Sequence, residues 1–467
     1  MRTSPLLPAF SRTRLRLVGR GLVVTGIHAV LPRSRLLALS GSRLPQSGSP
    51  TTWADRIEST GVMRSFDHPP PPPHRRIDAA GGFLHGEAMK PILLGLLLPV
   101  IACAEPALRQ GRFHTPEQAK AEMEARWQEY GTREGWTKRA AEIRQGILEG
   151  AGLWPLTERK APVAIRREAQ EQAGYTVANV ALETAPGFYL CGNLYLPEKP
   201  PEKMPVVLCT HGHGPMKDPL AHGRFTEGMQ KRSGALARMG CAVFAYEMVG
   251  YGESAIAGWK HGVNGQELRL QLWNSMCALD FMLSQPGVDA TKVAVTGESG
   301  GGTQAFLLAA VDGRVTASIP CVQVSSWFYG GCACESGLPI HVRPEYVANN
   351  AEIAAVIAPK PLLVISDGKD WTQHVPELEM PRLKRIYALF GKEDAVENAH
   401  FADEGHDYGP SKRAALYRFV GKVFSLDEKK ADEASVPVLP GAALRVFDDE
   451  HPPLGDVVPA NSEVKLY

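Results

Sequence analysis

From residue 206 onward, short and almost wholly apolar runs alternate with longer helix-like stretches. The runs at 206–210, 242–246, 292–296, 317–320 and 361–366 predict strands, and 228–239, 265–283 and 301–311 predict helices between them. Strands that are apolar at nearly every position are covered on both faces, so the alternation predicts a mostly parallel sheet with helices on either side. Upstream, 176–182 alternates as a half-buried strand does, and 188–197 reads as a second strand. Earlier still the pattern is helical. Thr115-Pro116-Glu117 joins an N-cap to a proline at the first helical position, 118–130 is polar and helix-prone, and 137–148 repeats that character. Beyond 426 the chain turns Pro-, Ala- and acid-rich, which predicts a tail that packs as extended structure or stays mobile. There is no internal repeat.

The first 88 residues follow a different pattern. They hold twelve arginines and no lysine, many serines and the run Pro69 to Pro73, and bury too little apolar surface to offset chain entropy. Met89-Lys90 then opens a basic start, followed by an apolar stretch over 91–101 and the small-residue exit Ala102-Cys103-Ala104. That is the plan of a secretory signal peptide, which belongs at an N-terminus, so translation is expected to start at Met89. Val100-Ile101-Ala102-Cys103 also resembles a lipobox, which would place a lipid anchor on Cys103, and the A-C-A cleavage site explains the same residues. The expected organisation is a disordered or untranslated extension (1–88), a signal peptide (89–104), a helical lead-in region (105–170), a catalytic α/β domain (171–425) and an extended tail (426–467). The protein is expected to be exported, periplasmic or extracellular.

Composition narrows the partners. With 467 residues, 44% apolar, 22% charged and a net charge of +1, the chain is ordinary globular protein, with no basic excess for nucleic acid. No apolar stretch is long enough to span a bilayer. Of eight cysteines, Cys209 and Cys241 sit in apolar strand-like runs and read as small hydrophobes. Cys332-Ala333-Cys334 is a close pair that could form disulfides in an oxidising compartment. Cys332, Cys334 and His341 fall short of a zinc ligand set, and no metal or organic cofactor is expected.

The chemistry centres on Gly297-Glu298-Ser299-Gly300-Gly301, set between the apolar run Val293-Ala294-Val295 and a helix-like stretch. Strand, G-x-S-x-G, helix is the layout of a nucleophile elbow, in which glycines let a strained serine pass close to neighbouring backbone. A serine hydroxyl is a weak nucleophile and needs a base held by an acid. His406, in Gly405-His406-Asp407-Tyr408-Gly409 before a helical stretch, is the expected base, with His400 its nearest rival. The strand at 361–366 runs into Asp367 and Asp370. Asp370 is the preferred acid, because a few residues of loop let its carboxylate reach the imidazole. His211-Gly212-His213-Gly214 follows another strand and offers backbone N–H groups. The amides of His213 and Gly300 are the expected oxyanion hole. His211 and His213 are read as structural residues of that loop rather than metal ligands.

Taken together, these motifs resemble the α/β-hydrolase superfamily over about residues 170 to 425. Tyr246-Glu247-Met248-Val249-Gly250-Tyr251-Gly252-Glu253-Ser254 is similar to that family's D-x-x-G-x-G-x-S turn, with Glu247 in place of Asp. Leu190-Cys191-Gly192-Asn193-Leu194-Tyr195-Leu196-Pro197 resembles the G-x-L-Y-x-P hairpin of the branch that holds acetylxylan esterases and dienelactone hydrolases. The resemblance implies ester hydrolysis through an acyl-enzyme. Export directs the expectation to carbohydrate esters, acetyl groups on polysaccharide first, with Trp327 and Trp371 as sugar-stacking candidates. Glucuronoyl or pectin methyl esters are the alternative, and Arg224, Arg343 and Arg382 are the arginines available for a sugar acid. A prolyl-oligopeptidase-like peptidase would need a propeller for which 105–175 is too short. A binding protein that has lost catalysis would show no turnover to lose.

Overall fold

In the computed structural model, residues 108–466 are described, apart from 344 and 345. The leader, the cleavage site and Cys103 lie outside the described residues. Two helices, α1 (Pro116–Tyr130) and α2 (Arg133–Gly150), precede the strands β1 (Val163–Arg166), β2 (Gln170–Gln172), β3 (Tyr175–Ala185), β4 (Phe188–Pro197) and β5 (Met204–Thr210). Next come α3 (Glu227–Arg238), β6 (Ala242–Tyr246), α4 (Gly252–Ile256), α5 (Glu267–Leu283), β7 (Val288–Glu298), α6 (Gly300–Val311) and β8 (Ala317–Cys321). The remainder comprises α7 (Ala333–Ser336), the small pair β9 (Val342–Arg343) and β10 (Tyr346–Val347), α8 (Asn350–Ala355), β11 (Leu362–Asp367), α9 (Met380–Ala388), β12 (Val396–Phe401) and α10 (Pro410–Phe424).

The main sheet runs β1-β3-β4-β6-β5-β7-β8-β11-β12, with β2 also paired to β3. Strands β1 to β4 pair antiparallel, and β4 meets β6 antiparallel. From β6 through β12 every pairing is parallel. The central strands are apolar at successive positions because alternate residues feed two different cores. Val206, Leu208, Val295 and Val364 pack with α5, α6 and the α2 residues Trp136, Ile143 and Ile147. Val207, Cys209, Ala294 and Ile365 pack on the other face with Leu236 of α3 and Leu416, Phe419 and Val420 of α10. This is the expected α/β arrangement, and the parallel strands deliver their C-terminal ends to one edge of the sheet, where ligands bind in such folds.

The structure holds elements that the sequence did not predict, among them β1, β2, α4, α7 and α8. Strand β12, Val396-Glu397-Asn398-Ala399-His400-Phe401, is polar at an edge and carries no apolar run to announce it. Helix α9 also went unpredicted. The tail, for which packing as extended structure and mobility were both open, is packed: Val436, Leu444, Val446 and Val464 are buried. It is held through its main chain. The Leu444 carbonyl accepts from Asn193 Nδ2 (3.0 Å) and Arg224 Nη1 (2.6 Å), and the Glu253 carboxylate accepts the N–H groups of Val446 and Phe447. Among the described residues, no helix is long and apolar enough to cross a membrane.

Arg224 is the hub of that contact. Its guanidinium is fully buried and donates to Glu247 Oε2 (3.2 Å), to Asn193 Oδ1 (2.6 Å) and to the Glu253 carboxylate. Glu247 in turn accepts the N–H groups of Glu253 (3.0 Å) and Ser254 (2.9 Å), so the longer side chain still closes the turn that the family's aspartate closes. Arg224 is therefore a core residue, not a ligand for a sugar acid. Arg224→Ala is expected to destabilise the chain by about 3–5 kcal/mol in urea unfolding, because two buried carboxylates lose their cation. A loss under about 1 kcal/mol, the range of exposed pairs, would show that the network is not what holds the tail.

Candidate active site

Strand β7 ends at Glu298, and α6 begins at Gly300. Between them Ser299 has φ 54° and ψ −124°, a conformation that costs roughly 1–3 kcal/mol for a residue with a Cβ. Its surroundings hold it there. The Ser299 N–H donates to the Cys321 carbonyl (3.1 Å), and its own carbonyl accepts the Thr303 N–H (3.0 Å). The turn is clamped to the end of β5. A Cβ on Gly297 would lie 2.0 Å from Thr210 Oγ1 and 2.6 Å from the Gly301 carbonyl oxygen. One on Gly301 would lie 2.6 Å from the carbonyl oxygen of His211. Glu298 anchors the turn from below. Its carboxylate takes a hydrogen bond from Arg232 Nη1 (3.0 Å), and Arg232 also donates to the Thr210 carbonyl (3.0 Å) and lies 4.2 Å over the Tyr408 ring.

The loop after β11 and the loop after β12 meet, and the Asp407 carbonyl of the second lies 3.7 Å from Sγ of Cys321, the residue whose carbonyl accepts the Ser299 N–H. His406 Nδ1–H donates to Asp370 Oδ2 at 2.6 Å, which leaves the lone pair of a neutral ring on Nε2. The other carboxylate oxygen, Oδ1, accepts both the N–H and the hydroxyl of Thr372 at 2.6 Å. Asp370 is thus fixed on both sides. Asp367 is turned away: fully buried, it pairs with Lys412 Nζ at 3.2 Å and accepts the Lys369 N–H. His400 is also occupied elsewhere, its Nδ1 sharing a hydrogen bond with Ser366 Oγ (2.9 Å). Thr372 and Lys412 were not legible in the sequence; only the fold tells which aspartate each serves.

The loop after β5 lies against the serine. A Cβ on Gly212 would approach Ser299 Cβ to 3.1 Å, and one on Gly300 would approach the His213 ring to 2.7 Å. His213 and Gly300 are therefore neighbours beside Ser299. His211 is a structural residue: fully buried, it donates from Nδ1 to the Gly212 carbonyl (2.8 Å) and accepts the Met248 N–H at Nε2 (2.9 Å). His213 has other company. Its Nε2 lies 3.2 Å from His261 Nε2 and 3.2 Å from Cys334 Sγ, and Cys332 Sγ lies 3.2 Å from His261 Nε2. The sequence reading grouped Cys332 and Cys334 with His341. The fold instead joins them to His213 and to His261, which comes from a different loop. His341 is buried elsewhere and donates from Nε2 to Asn350 Oδ1 (2.8 Å).

The two tryptophans differ. Trp371 lies with its ring centroid 4.4 Å from that of His406 and stacks on Phe328 at 4.1 Å. Trp327 is 5% exposed and packs with Ala119, Met123 and Leu378, so it builds the wall behind Phe328. Of the remaining arginines considered for an acidic sugar, Arg343 pairs with Glu149, and Arg382 with Glu124 (2.9 Å).

No protein-family model matches the chain. Among solved structures, the chain is similar to Methylesterase BT1017, with a TM-score of 0.67 and 37% identity, covering 73% of this chain and 76% of that one. A glucuronoyl esterase from Solibacter usitatus aligns at 18% identity over 62% of this chain and 92% of its own, with a TM-score of 0.45. In sequence, the chain is 26% identical over 268 residues to "Putative hydrolase YtaP" of Bacillus subtilis (strain 168), covering 51% of this chain and 84% of that protein.

His341, away from the serine, makes the stability of the chain depend on pH. Burial pushes its imidazole down to about 4 from an ordinary 6.5. The unfolded chain takes up a proton that the folded one excludes, so this contribution is fully present above pH 6.5 and lost as the pH falls toward 4. Its size is on the order of 3 kcal/mol. His341→Gln should flatten the fall in unfolding free energy between pH 7 and pH 4.5. An unchanged slope would mean that the imidazole titrates normally in the folded chain.

Proposed function

The chain belongs to the carboxylic ester hydrolases of the α/β-hydrolase superfamily, and from that premise we propose that it cleaves esters with Ser299 as nucleophile, His406 as base and Asp370 as the group that orients it. The observation that carries this reading is the 2.6 Å hydrogen bond from His406 Nδ1 to Asp370 Oδ2, formed between the loops after β11 and β12, in a chain whose serine sits on a strained elbow. Ser299 Oγ attacks the ester carbonyl while His406 Nε2 takes its proton. The amides of His213 and Gly300 receive the developing oxyanion. His406 then returns the proton to the leaving alcohol, and water, activated by the same imidazole, releases the acid.

For the substrate we propose the methyl ester of a sugar acid in an exported enzyme whose signal peptide spans 89–104. The support is the 37% identity to a methylesterase, which places this choice ahead of the acetyl ester favoured by the sequence motifs. A methyl ester is neutral, so its recognition does not require a buried arginine. That agrees with the commitment of Arg224, Arg343 and Arg382 to carboxylates elsewhere. The Trp371 face beside His406 offers a sugar-stacking surface. Trp327, buried behind Phe328, supports that wall rather than touching the sugar.

The test follows methanol release from methyl-esterified pectin and acetate release from acetylated xylan, with 4-nitrophenyl acetate as a generic ester. Ser299→Ala is expected to lower kcat on every hydrolysed ester by at least about 10⁴-fold, and Asp370→Asn by about 10³–10⁴-fold. Asp367→Asn should keep turnover near the parent's while losing stability, since Lys412 loses a buried partner. Equal losses in the two aspartate variants would overturn the assignment of the acid. Acetate without methanol would return the substrate to acetyl esters, and turnover surviving Ser299→Ala would remove the serine mechanism.

A further inference from the structure

We propose that His213, His261, Cys332 and Cys334 bind one Zn²⁺ ion in a closed tetrahedral site that clips three loops together beside Ser299. One ligand atom from each of these residues lies within 4.8 Å of all the others. Tetrahedral zinc with bonds of about 2.0–2.1 Å to nitrogen and 2.3 Å to sulfur requires edges of about 3.3 Å between nitrogens and about 3.6 Å between nitrogen and sulfur. The three short edges here, His213–His261, His213–Cys334 and His261–Cys332, are each 3.2 Å. Those edges fall short of the tetrahedral values by about 0.1 Å between the nitrogens and about 0.4 Å between nitrogen and sulfur, and the other three lie within 4.8 Å.

Hydrogen bonding alone accounts poorly for the same contacts. His261 Nδ1–H donates to the Val249 carbonyl at 2.6 Å, so in the neutral ring Nε2 presents a lone pair to the cluster. That lone pair faces the Nε2 of a second imidazole and a cysteine sulfur. A cation at the centre converts these opposed donors into ligands, and two thiolates balance its charge. The outer shell is of the kind that orients metal ligands. The Val249 carbonyl fixes the His261 ring. Glu335, buried, sits 4.0 Å from His213 Nδ1, and its Oε2 accepts the N–H groups of Gly331 (2.8 Å) and Cys332 (3.1 Å), which shapes the loop bearing the thiols. Two nitrogens and two sulfurs in tetrahedral array select zinc among the common divalent ions. With four protein ligands no position is open to substrate, so the ion is structural.

The site joins parts of the chain that are distant in sequence: His213 after β5, His261 after α4, and the cysteines at the start of α7. Because the His213 ring packs on Gly300, the ion also fixes the main chain of the loop beside the serine. This last consequence rests on the oxyanion reading above, whereas the ion itself does not.

The measurement is metal content by mass spectrometry of the chain purified from zinc-supplemented medium, followed by exchange to Co²⁺. One zinc per chain is expected, with thiolate-to-cobalt charge transfer and the intense visible bands of tetrahedral cobalt after exchange. Both should be lost in Cys332→Ser and in His261→Ala. Should either variant fail to fold, X-ray absorption at the zinc edge of the parent protein reads two sulfur and two nitrogen neighbours directly. Zinc-free protein carrying a Cys332–Cys334 disulfide, or two freely titrating thiols, would overturn the proposal. The metal count stands whether or not any ester is hydrolysed, so failure of the ester reading and failure of the metal site are told apart.

Discussion

The close approach of the Gly297–Gly301 turn to the end of β5 is the constraint on which the rest of the site depends. A serine at positive φ is unfavourable by itself, and it persists because the backbone around it has nowhere else to go. Thr210, whose hydroxyl donates to the Gly301 carbonyl at 2.7 Å, and the main chain of His211 occupy the space that side chains on Gly297 and Gly301 would need. The same approach brings the loop after β5 against Ser299. Serine and loop are therefore positioned by one piece of packing, not by two independent devices.

Buried charge then fixes what packing leaves free. Arg232 under Glu298, Lys412 on Asp367 and Arg224 between Glu247 and Glu253 each satisfy carboxylates that could not stay charged in the interior alone. Their positions divide the labour. Lys412 holds Asp367, so only Asp370 is left to meet His406, while Arg224 joins the family turn to the C-terminal tail. Such pairs are weak evidence for net stability. Their contribution is orientation, since each leaves a single arrangement in which every charge is met.

The His213, His261, Cys332 and Cys334 cluster adds a third kind of constraint beside the same serine. The loops that supply it belong to no regular element over most of their length, and Glu335 orders the cysteine-bearing loop through backbone N–H groups. Here polar and sulfur groups converge, and His213 connects that convergence to Gly300.

The sequence by itself determined the architecture and pointed to two of the residues proposed for the reaction. Apolar runs in strict alternation with helical segments specify the parallel sheet, because a strand covered on both faces has no polar position to spare. G-x-S-x-G after β7 and the histidine before α10 are equally local signals, so Ser299 and His406 could be read without coordinates. The polar edge strand β12 escaped because edge strands need only half a core, and the anchoring points of the tail because they are main-chain hydrogen bonds that composition does not encode. Tertiary structure alone decided which aspartate serves His406, that Arg224 lies in the core, that Trp371 rather than Trp327 touches the imidazole, and that His261 joins Cys332 and Cys334 where His341 does not. Each of these turns on which residues, far apart in the chain, are left facing one another once the sheet has closed, and no local pattern carries that information.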